Sequence, residues 1–320
     1  MKNIKSFLKV DKELIIVFLL VTIVGAIYFF LNSQKVFLNF FYLPVLLGAY
    51  FYGRKHGTYS AVLAVLIIFA IAYFIPHTFS SKEENDKNLE KWIDITIWGG
   101  FLIITGYAMG LLYEKKEAST KELKQTYRGI ITMLSIVIDS VDKYTQNHTY
   151  RVAKYAEKIA KTAGLSDSEI EDIKIAALLH DIGKIGVSAE ILNKIGKLSD
   201  EEKRKMISHT EKAAELLEPI GGRMLKILPL ILNHHERYDG KGYNALMDKS
   251  IPIGAKIIAV ADVYDALTTD RPYRKAISPL DGKNEIIKGA GILFDPEIVK
   301  YFEQVFPMLS DFEEPMLADS

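Results

Sequence analysis

Long apolar runs separated by short charged segments occupy the first third of the chain. Four of them have about the length that crosses a bilayer, roughly 20 mostly apolar residues. They are Leu14 to Leu31, Val36 to Tyr52, Thr58 to Ile75 and Trp92 to Tyr113. No charged residue lies in the middle of any run, which disfavours an ion or proton pathway and favours a sensor or an anchor. The pattern predicts a four-helix transmembrane domain over residues 1–113.

Basic residues are unevenly placed around these runs. Lysines precede the first run and follow the fourth, and Arg54 and Lys55 lie between the second and the third. By the positive-inside rule these segments are cytoplasmic. No small-residue cleavage site follows the first run, so we expect an anchor and not a cleaved signal peptide. The expected location is the inner (cytoplasmic) membrane, multi-pass, with the bilayer as a partner and with both termini and the soluble part in the cytoplasm.

Residues 114–144 predict a helical linker. The segment contains no Pro and one Gly, and its apolar positions recur at alternating steps of four and three, which is a heptad seam. The seam positions are Leu123, Tyr127, Ile130, Leu134, Val137, Val141 and Tyr144. One interpretation is a coiled coil that joins two copies as a homodimer, and the other is a first helix folded onto the next domain. In both, a continuous helix gives a mechanical route for a signal from the membrane.

The remaining chain has a helical pattern with almost no strand signals. It predicts an all-α soluble domain over residues 145–308 and an acidic tail over residues 309–320. The predicted helices are His148 to Thr162, Ser168 to His180, Ala189 to Leu192, Asp200 to Leu217, Leu225 to Glu236, Pro252 to Thr268, Pro279 to Gly289 and Pro296 to Phe306. Ser199 with Glu202 makes a capping box that supports one of these starts.

Length, charge and cysteine content bear on the number of domains, on disulfides and on nucleic-acid binding. The chain has 320 residues, equal numbers of acidic and basic side chains, and no cysteine. That length suits two domains. The absence of cysteine excludes a disulfide framework, and the balanced charge gives no indication of a DNA or RNA partner.

One apolar helical run ends in His180, Asp181, Gly183 and Lys184. A buried carboxylate needs a partner or a cation, because burying it alone costs several kcal/mol. Taken alone, this stretch fits a polar helix end as well as a metal site. The soluble domain also contains His148, His209, His234 and His235, and Asp262 interrupts another apolar helix. Together these side chains favour metal binding.

The candidate ligands indicate a class of chemistry. Imidazoles and carboxylates without thiols suit Fe, Mn or Zn, and their number is too high for one ion and right for two. Two ions a few Å apart activate a water and stabilise an in-line displacement at phosphorus. The chain has no serine-centred nucleophile elbow, no Walker loop and no Rossmann fingerprint. Phosphoester hydrolysis is therefore predicted, with Asp181 and Lys184 as candidate catalytic residues.

Three motifs then occur in order along the chain. They are His180-Asp181-Ile-Gly-Lys184, His234-His235-Glu236-Arg-Tyr-Asp239-Gly240-Lys-Gly242-Tyr243, and Val260-Ala-Asp262-Val-Tyr-Asp-Ala-Leu-Thr-Thr-Asp-Arg271-Pro-Tyr-Arg274. With them the region from about Asp142 to Phe306 resembles the HD-GYP phosphodiesterases. The resemblance implies a hydrolase with two divalent metal ions that cleaves cyclic di-GMP to the linear dinucleotide pGpG, and in some members on to GMP. Fe or Mn is favoured, with Zn, Mg and Ni as other candidates.

The resemblance also assigns roles to residues of this chain. The positions that match metal ligands are His148, His180, Asp181, His209, His234, His235 and Asp262. Lys184, Arg271 and Arg274 match positions that bind substrate phosphates, and Gly242 and Tyr243 belong to a loop that faces the ligand. Asp265 could instead pair with one of the two arginines. The membrane region adds a second resemblance, since residues 41–57 are similar to a helix turn in the four-helix membrane domains of some sensor histidine kinases, which implies a signal-input module.

Two positions depart from the HD-GYP pattern. Asn244 stands where the family has Pro, which predicts a less rigid loop and puts its substrate selectivity in doubt. Tyr144 stands where members with a third metal have Glu, which favours two metals and the linear dinucleotide as main product. Two alternatives to cyclic di-GMP hydrolysis remain open: a cyclic-dinucleotide receptor without turnover, and a phosphohydrolase of another nucleotide.

Overall fold

The chain forms two compact units, Met1–Gln125 and Thr126–Ser320, in a computed structural model. The structure describes residues 22–23, 25, 34–75, 87–141, 147–194, 196–270 and 274–309. These residues form helices and no strand, so the prediction of an all-helical protein is confirmed for them. Each unit has its own hydrophobic core.

The described part of the first unit is built from apolar helices. A 3₁₀ helix, Gln34–Phe41, leads into α1 (Tyr42–Tyr52), and α2 (Arg54–Phe74) and α3 (Lys87–Val141) follow. Two helices are long and apolar enough to cross a membrane, α2 with a mean hydropathy of 2.1 and the stretch Leu89–Ser140 of α3 with 1.7. The second predicted run is a shorter apolar helix, and the first lies almost wholly outside the described residues. Length and composition thus support two spans, and the four-helix bundle is not confirmed.

Small residues allow the helices of the first unit to approach closely. A Cβ atom on Gly57 of α2 would lie 2.6 Å from the Cβ of Ala49 on α1 and 2.8 Å from the carbonyl oxygen of Gly106 on α3. Helix interfaces in membranes are enriched in such small residues. The backbone N–H of Arg54 at the start of α2 donates to Glu114 Oε1 at 2.8 Å, which satisfies one of the unpaired donors at that helix end.

The part of α3 from Thr126 onward belongs to the second unit and packs on its core. Ile131 and Ile138 are buried, although neither is a predicted seam position. Two seam positions, Ile130 and Val137, are 49% and 40% exposed. The heptad seam is therefore divided between a face that contacts the domain and a face that does not, and the homodimer stays a prediction.

The described part of the second unit continues with short helices. They are α4 (His148–Thr162), α5 (Asp167–Leu179), α6 (Ala189–Leu192), α7 (Asp200–Ile207), α8 (His209–Leu217), α9 (Arg223–Leu232), α10 (Ile253–Thr268), α11 (Pro279–Lys288) and α12 (Pro296–Val305). A 3₁₀ turn, Ile182–Gly186, follows α5. Helices α4, α5 and α10 pack together, and their core includes the fully buried side chains of Ile159, Leu179 and Ile258. The ends of these apolar helices carry the polar side chains of the site.

One predicted helix is divided in the structure. The segment Asp200 to Leu217 forms α7 and α8 with a break at Ser208. The carbonyl oxygen of Met206 accepts a hydrogen bond from Nδ1 of His209 at 2.7 Å, so the ring uses an acceptor that a continuous helix would give to the backbone. The predicted helix Leu225 to Glu236 likewise ends early, at Leu232.

Candidate metal centre

Three histidines share one local arrangement. His180, His209 and His234 each lie one or two residues beyond the end of a helix, α5, α7 and α9 respectively. Each ring donates from Nδ1 to the carbonyl oxygen three residues earlier, in Ala177 at 2.7 Å, Met206 at 2.7 Å and Ile231 at 2.6 Å. Because a carbonyl only accepts, the proton is on Nδ1 and the Nε2 lone pair is free to bind a cation. These three Nε2 atoms are buried and have no hydrogen-bond partner.

The seven predicted ligand residues fall into two groups. The four-residue cluster is Asp181, His209, His234 and His235, and the three-residue cluster is His148, His180 and Asp262. Within each cluster the potential ligand atoms all lie within 4.8 Å of one another, and most of the side chains are buried. The clusters adjoin, since His180 Nε2 of one lies 3.4 Å from Asp181 Oδ2 of the other.

Gly183 allows two ligand-bearing segments to meet. A Cβ atom there would overlap the carbonyl oxygen of His209 and lie 2.7 Å from the backbone nitrogen of Ala213. The 3₁₀ turn after Asp181 can therefore pack directly on the backbone of α8 only with glycine at this position. This contact brings the end of α5 to the start of α8.

His148 is held between two carboxylates. Its Nδ1 lies 2.7 Å from Asp265 Oδ2, and its Nε2 lies 3.3 Å from Asp262 Oδ1. Asp265 also accepts two hydrogen bonds from Arg151, at 2.6 Å from Nε and 3.0 Å from Nη2. The described partners of Asp265 are thus His148 and Arg151. Of the two arginines predicted to pair with it, Arg274 donates to the carbonyl oxygen of Ala266, and Arg271 lies outside the described residues.

Sequence reasoning missed Arg151, although the spacing contained a signal. His148 and Arg151 are three residues apart on α4, and Asp262 and Asp265 are three apart on α10. Residues three apart share a helix face, so Arg151 lies on the same face as the predicted ligand His148, and Asp265 on the same face as the predicted ligand Asp262. Glu236, buried directly after the His234-His235 pair, was missed as well.

Burial sets the charge of most of the imidazoles. It lowers the pKa of His180, His209, His234 and His235, and that of His234 falls to about 4. At neutral pH these rings are neutral, the state that a metal requires.

The two carboxylates of the clusters are ionised. Burial would raise the pKa of Asp181, but Lys184 and His180 hold it well below its usual range. Burial would also raise the pKa of Asp262, but the hydrogen bond and charge of His148 lower it. The centre thus offers anionic oxygens beside neutral nitrogens.

His148 differs from the other histidines. Burial lowers its pKa, but the hydrogen bonds and charges of Asp262 and Asp265 outweigh burial and raise the pKa to about 10. Both ring nitrogens are protonated at neutral pH as a result.

Some of the residues predicted to bind the substrate lie beside the metal ligands. Lys184 Nζ lies 2.7 Å from Asp181 Oδ2, and the Lys184 side chain is 17% exposed. The Tyr243 ring lies 4.6 Å from the ring of His235. Arg274 is exposed, and its guanidinium donates to the carbonyl oxygen of Ala266 on α10. Arg271 and Tyr144 lie outside the described residues.

The donor set fits divalent metal ions. Three buried imidazole nitrogens without hydrogen-bond partners converge with ionised carboxylates, and thiols are absent from the chain. Such nitrogen and oxygen ligands suit Fe, Mn or Zn. The hydrogen-bond acceptors that orient metal-bound histidines through Nδ1 are also present, as backbone carbonyls and as Asp265.

An all-helical domain with adjoining His and Asp clusters defines the class of protein. The family model described as "HD domain" matches residues 132–298, just over half of the chain. The chain belongs to the HD domain family.

Curated relatives share this part of the chain. It is 33% identical over 227 residues to a 3'3'-cGAMP-specific phosphodiesterase of Vibrio cholerae, covering 67% of this chain and 43% of the relative. It is 38% identical over 190 residues to a cyclic di-GMP phosphodiesterase response regulator of Xanthomonas campestris, covering 59% and 50%. A cyclic di-GMP phosphodiesterase of Thermotoga maritima is 34% identical over 203 residues, covering 63% and 55%. The chain spans about half the length of these relatives.

Proposed function

We propose that the chain is a metal-dependent phosphodiesterase that hydrolyses cyclic di-GMP to linear pGpG. The observation that carries the proposal is the convergence of seven imidazole and carboxylate side chains in two adjoining clusters. The names of the relatives support a cyclic dinucleotide as substrate, and they make 3'3'-cGAMP the second candidate.

Each cluster would hold one ion, with Fe or Mn favoured. Bound ions supply an activated water and neutralise charge that develops on a phosphate. Asp181 lies between the clusters and would hold ions on both sides, since its carboxylate oxygens are 3.4 Å from His180 Nε2 and 3.5 Å from His209 Nε2. Lys184 keeps an ammonium beside this carboxylate, where it can contact a phosphate oxygen.

The substrate would be bound by groups on one side of the clusters. Tyr243 offers a ring beside His235, and Gly242 lets the backbone pass close to Glu236. We assign the phosphate contacts to Lys184, Arg271 and Arg274, because arginine presents a planar fork of donors to phosphate oxygens. These assignments follow the motif positions.

We further propose that the first unit attaches the enzyme to the inner membrane and regulates it. Large apolar side chains are exposed on α2 and α3, among them Leu66, Phe101 and Ile104 at 60–65%. Exposed apolar surface of this extent is typical of a lipid or partner interface. A stimulus would act through α3, whose C-terminal part packs on the catalytic core. It must have different affinities for two conformations to do so.

The test uses the full chain, purified in detergent without oxygen. Its metal content is measured, and it is incubated with cyclic di-GMP and separately with 3'3'-cGAMP while pGpG and GMP are followed by chromatography. We expect turnover that His180→Ala and Asp181→Ala abolish and that His56→Ala, an exposed histidine of the first unit, leaves intact. Tight binding without turnover in the metal-loaded protein would indicate a receptor. Neither binding nor turnover would indicate another nucleotide as substrate.

A further inference from the structure

Glu236 is a buried carboxylate that binds the backbone of a loop. The residue is 5% exposed and directly follows His235. Its Oε1 accepts the backbone N–H of Asn244 at 2.6 Å, and its Oε2 accepts the backbone N–H of Leu246 at 2.9 Å. Each oxygen of Glu236 is therefore attached to a different point of the loop.

The residue between these two donors has a strained backbone. Ala245 has a φ of 52°, in the left-handed region that non-glycine residues rarely adopt. Such conformations persist only where surrounding contacts impose them. The two hydrogen bonds of Glu236, one on each side of Ala245, are contacts of this kind.

The other side of the loop is fixed by close packing. A Cβ atom on Gly242 would lie 2.6 Å from both Cα and Oε2 of Glu236. Tyr243 thus lies between a residue packed against Glu236 and a residue hydrogen-bonded to it. Its ring is held 4.6 Å from that of His235 and 6.4 Å from that of His209.

We propose that Glu236 is a positioning residue that holds Tyr243 against the four-residue cluster, and that Asn244 supplies one of the two N–H groups it uses. A proline at position 244 has no N–H to donate. In this chain the hydrogen bond replaces the rigidity that proline would give, so the loop is ordered and not loosened. Only one consequence of this inference rests on the proposed function: that Tyr243, held in this position, contributes to binding of the cyclic dinucleotide.

The first experiment measures the loop without using activity. In Glu236→Gln the shape of the side chain is kept, but one oxygen becomes an NH₂ that faces a backbone N–H. Trypsin cleavage of the Lys241–Gly242 bond is followed by mass spectrometry in the full, metal-loaded chain. We expect at least tenfold faster cleavage at this bond with metal content unchanged, because opening of the loop exposes it. The control Asn244→Ala keeps the backbone N–H and loses only an exposed, 3.4 Å side-chain hydrogen bond to the carbonyl oxygen of Leu232, so it should be cleaved at close to the wild-type rate.

Two results would overturn the positioning role. One is cleavage of Glu236→Gln at the wild-type rate, and the other is loss of bound metal in Glu236→Gln, which would mean that Glu236 maintains the cluster and not the loop. Both are readable even if the chain hydrolyses no cyclic dinucleotide.

The second experiment asks whether Glu236 acts through Tyr243. The dissociation constant for cyclic di-GMP is measured for Glu236→Gln, Tyr243→Ala and the double variant, all metal-loaded. We expect each single variant to weaken binding about tenfold and the double variant to bind no worse than Tyr243→Ala, since residues that act as a unit are not additive. A hundredfold loss in the double variant would refute the coupling. Absence of binding in the wild type would refute the proposed function while the cleavage result stands.

Discussion

Loading the two clusters with metal should release protons unequally. The imidazoles of the four-residue cluster are neutral at neutral pH, because burial lowers the pKa of each. In the three-residue cluster His148 carries two protons, because Asp262 and Asp265 raise its pKa to about 10. An ion bound there takes the place of the proton between His148 Nε2 and Asp262 Oδ1, which are 3.3 Å apart. That proton must leave.

The raised pKa of His148 gives the size of the effect of this proton on metal affinity. At pH 7.5, a pKa of about 10 means that removing the proton costs about 3 kcal/mol, or roughly 300-fold in the apparent affinity of this cluster. The affinity should rise about tenfold for each pH unit between 7.5 and 9, because the proton competes with the ion over this whole interval. The four-residue cluster has no such competitor in the same range.

Calorimetry can count the protons. Chelator-stripped full chain is titrated with Mn²⁺ at one pH in two buffers that differ in heat of ionisation, and the difference in heat gives the protons released. In Asp265→Asn one of the two carboxylates that raise the pKa of His148 is removed while Asp262 remains, so this pKa should fall. A water on the ions can lose a proton in both proteins, so the test is the difference between them. The variant should release fewer protons than the wild type at pH 7.5, because more of its His148 is already neutral before the ion binds.

A matched control is available on the surface of the second unit. Asp172 also receives a hydrogen bond from an arginine, Arg223, but belongs to neither cluster. Asp172→Asn should release as many protons as the wild type. Equal proton release from the wild type and Asp265→Asn, or an Mn²⁺ affinity that does not change between pH 7.5 and 9, would show that His148 is not the protonated group.

Three further predictions concern packing and helix ends. Leu179→Ala should lower the free energy of unfolding of the second unit by about 2–5 kcal/mol in urea denaturation followed by circular dichroism, because the side chain is fully buried; a loss under 1 kcal/mol would contradict this. Gly183→Ala should lower the metal content by at least half, since its Cβ would overlap the His209 carbonyl oxygen, and full occupancy would refute the close approach. Ser199→Ala should cost about 1 kcal/mol in the same denaturation assay, because Ser199 and Glu202 form a reciprocal capping box at the start of α7, whereas an unchanged midpoint would show that the box contributes nothing.

The helices could be predicted because their apolar positions recur with helical spacing, and most predicted bounds are within a few residues of those in the structure. The places where a predicted helix breaks or ends early could not be predicted. The break at Ser208 and the end of α9 at Leu232 depend on ring nitrogens of His209 and His234 that bond to backbone carbonyls. The hydropathy pattern does not show where a side chain bonds to a backbone carbonyl oxygen in place of the helix N–H, because the residues on both sides of the break remain apolar on one face.

The site residues that could be predicted from the sequence are polar side chains within otherwise apolar helical segments. Asp181 and Asp262 interrupt apolar runs, so their need for a cation can be inferred from the sequence alone. Arg151 and Asp265 lie on partly polar helix faces and could equally have been solvated. Their spacing places them on the same helix faces as His148 and Asp262, but only the packing of α4 on α10 identifies them as partners of each other.

The histidines of the centre are oriented by two different means, and this difference has a chemical consequence. Helix ends leave carbonyl oxygens without intrahelical partners, and rings placed just beyond the end can occupy them. His209 and His234 are oriented in this way, so their Nε2 lone pairs are directed inward by the backbone before any ion binds. His148 is oriented instead by the carboxylates of Asp262 and Asp265, which also stabilise its extra proton. At neutral pH the four-residue cluster should therefore fill first, and the three-residue cluster only at higher metal concentration or higher pH.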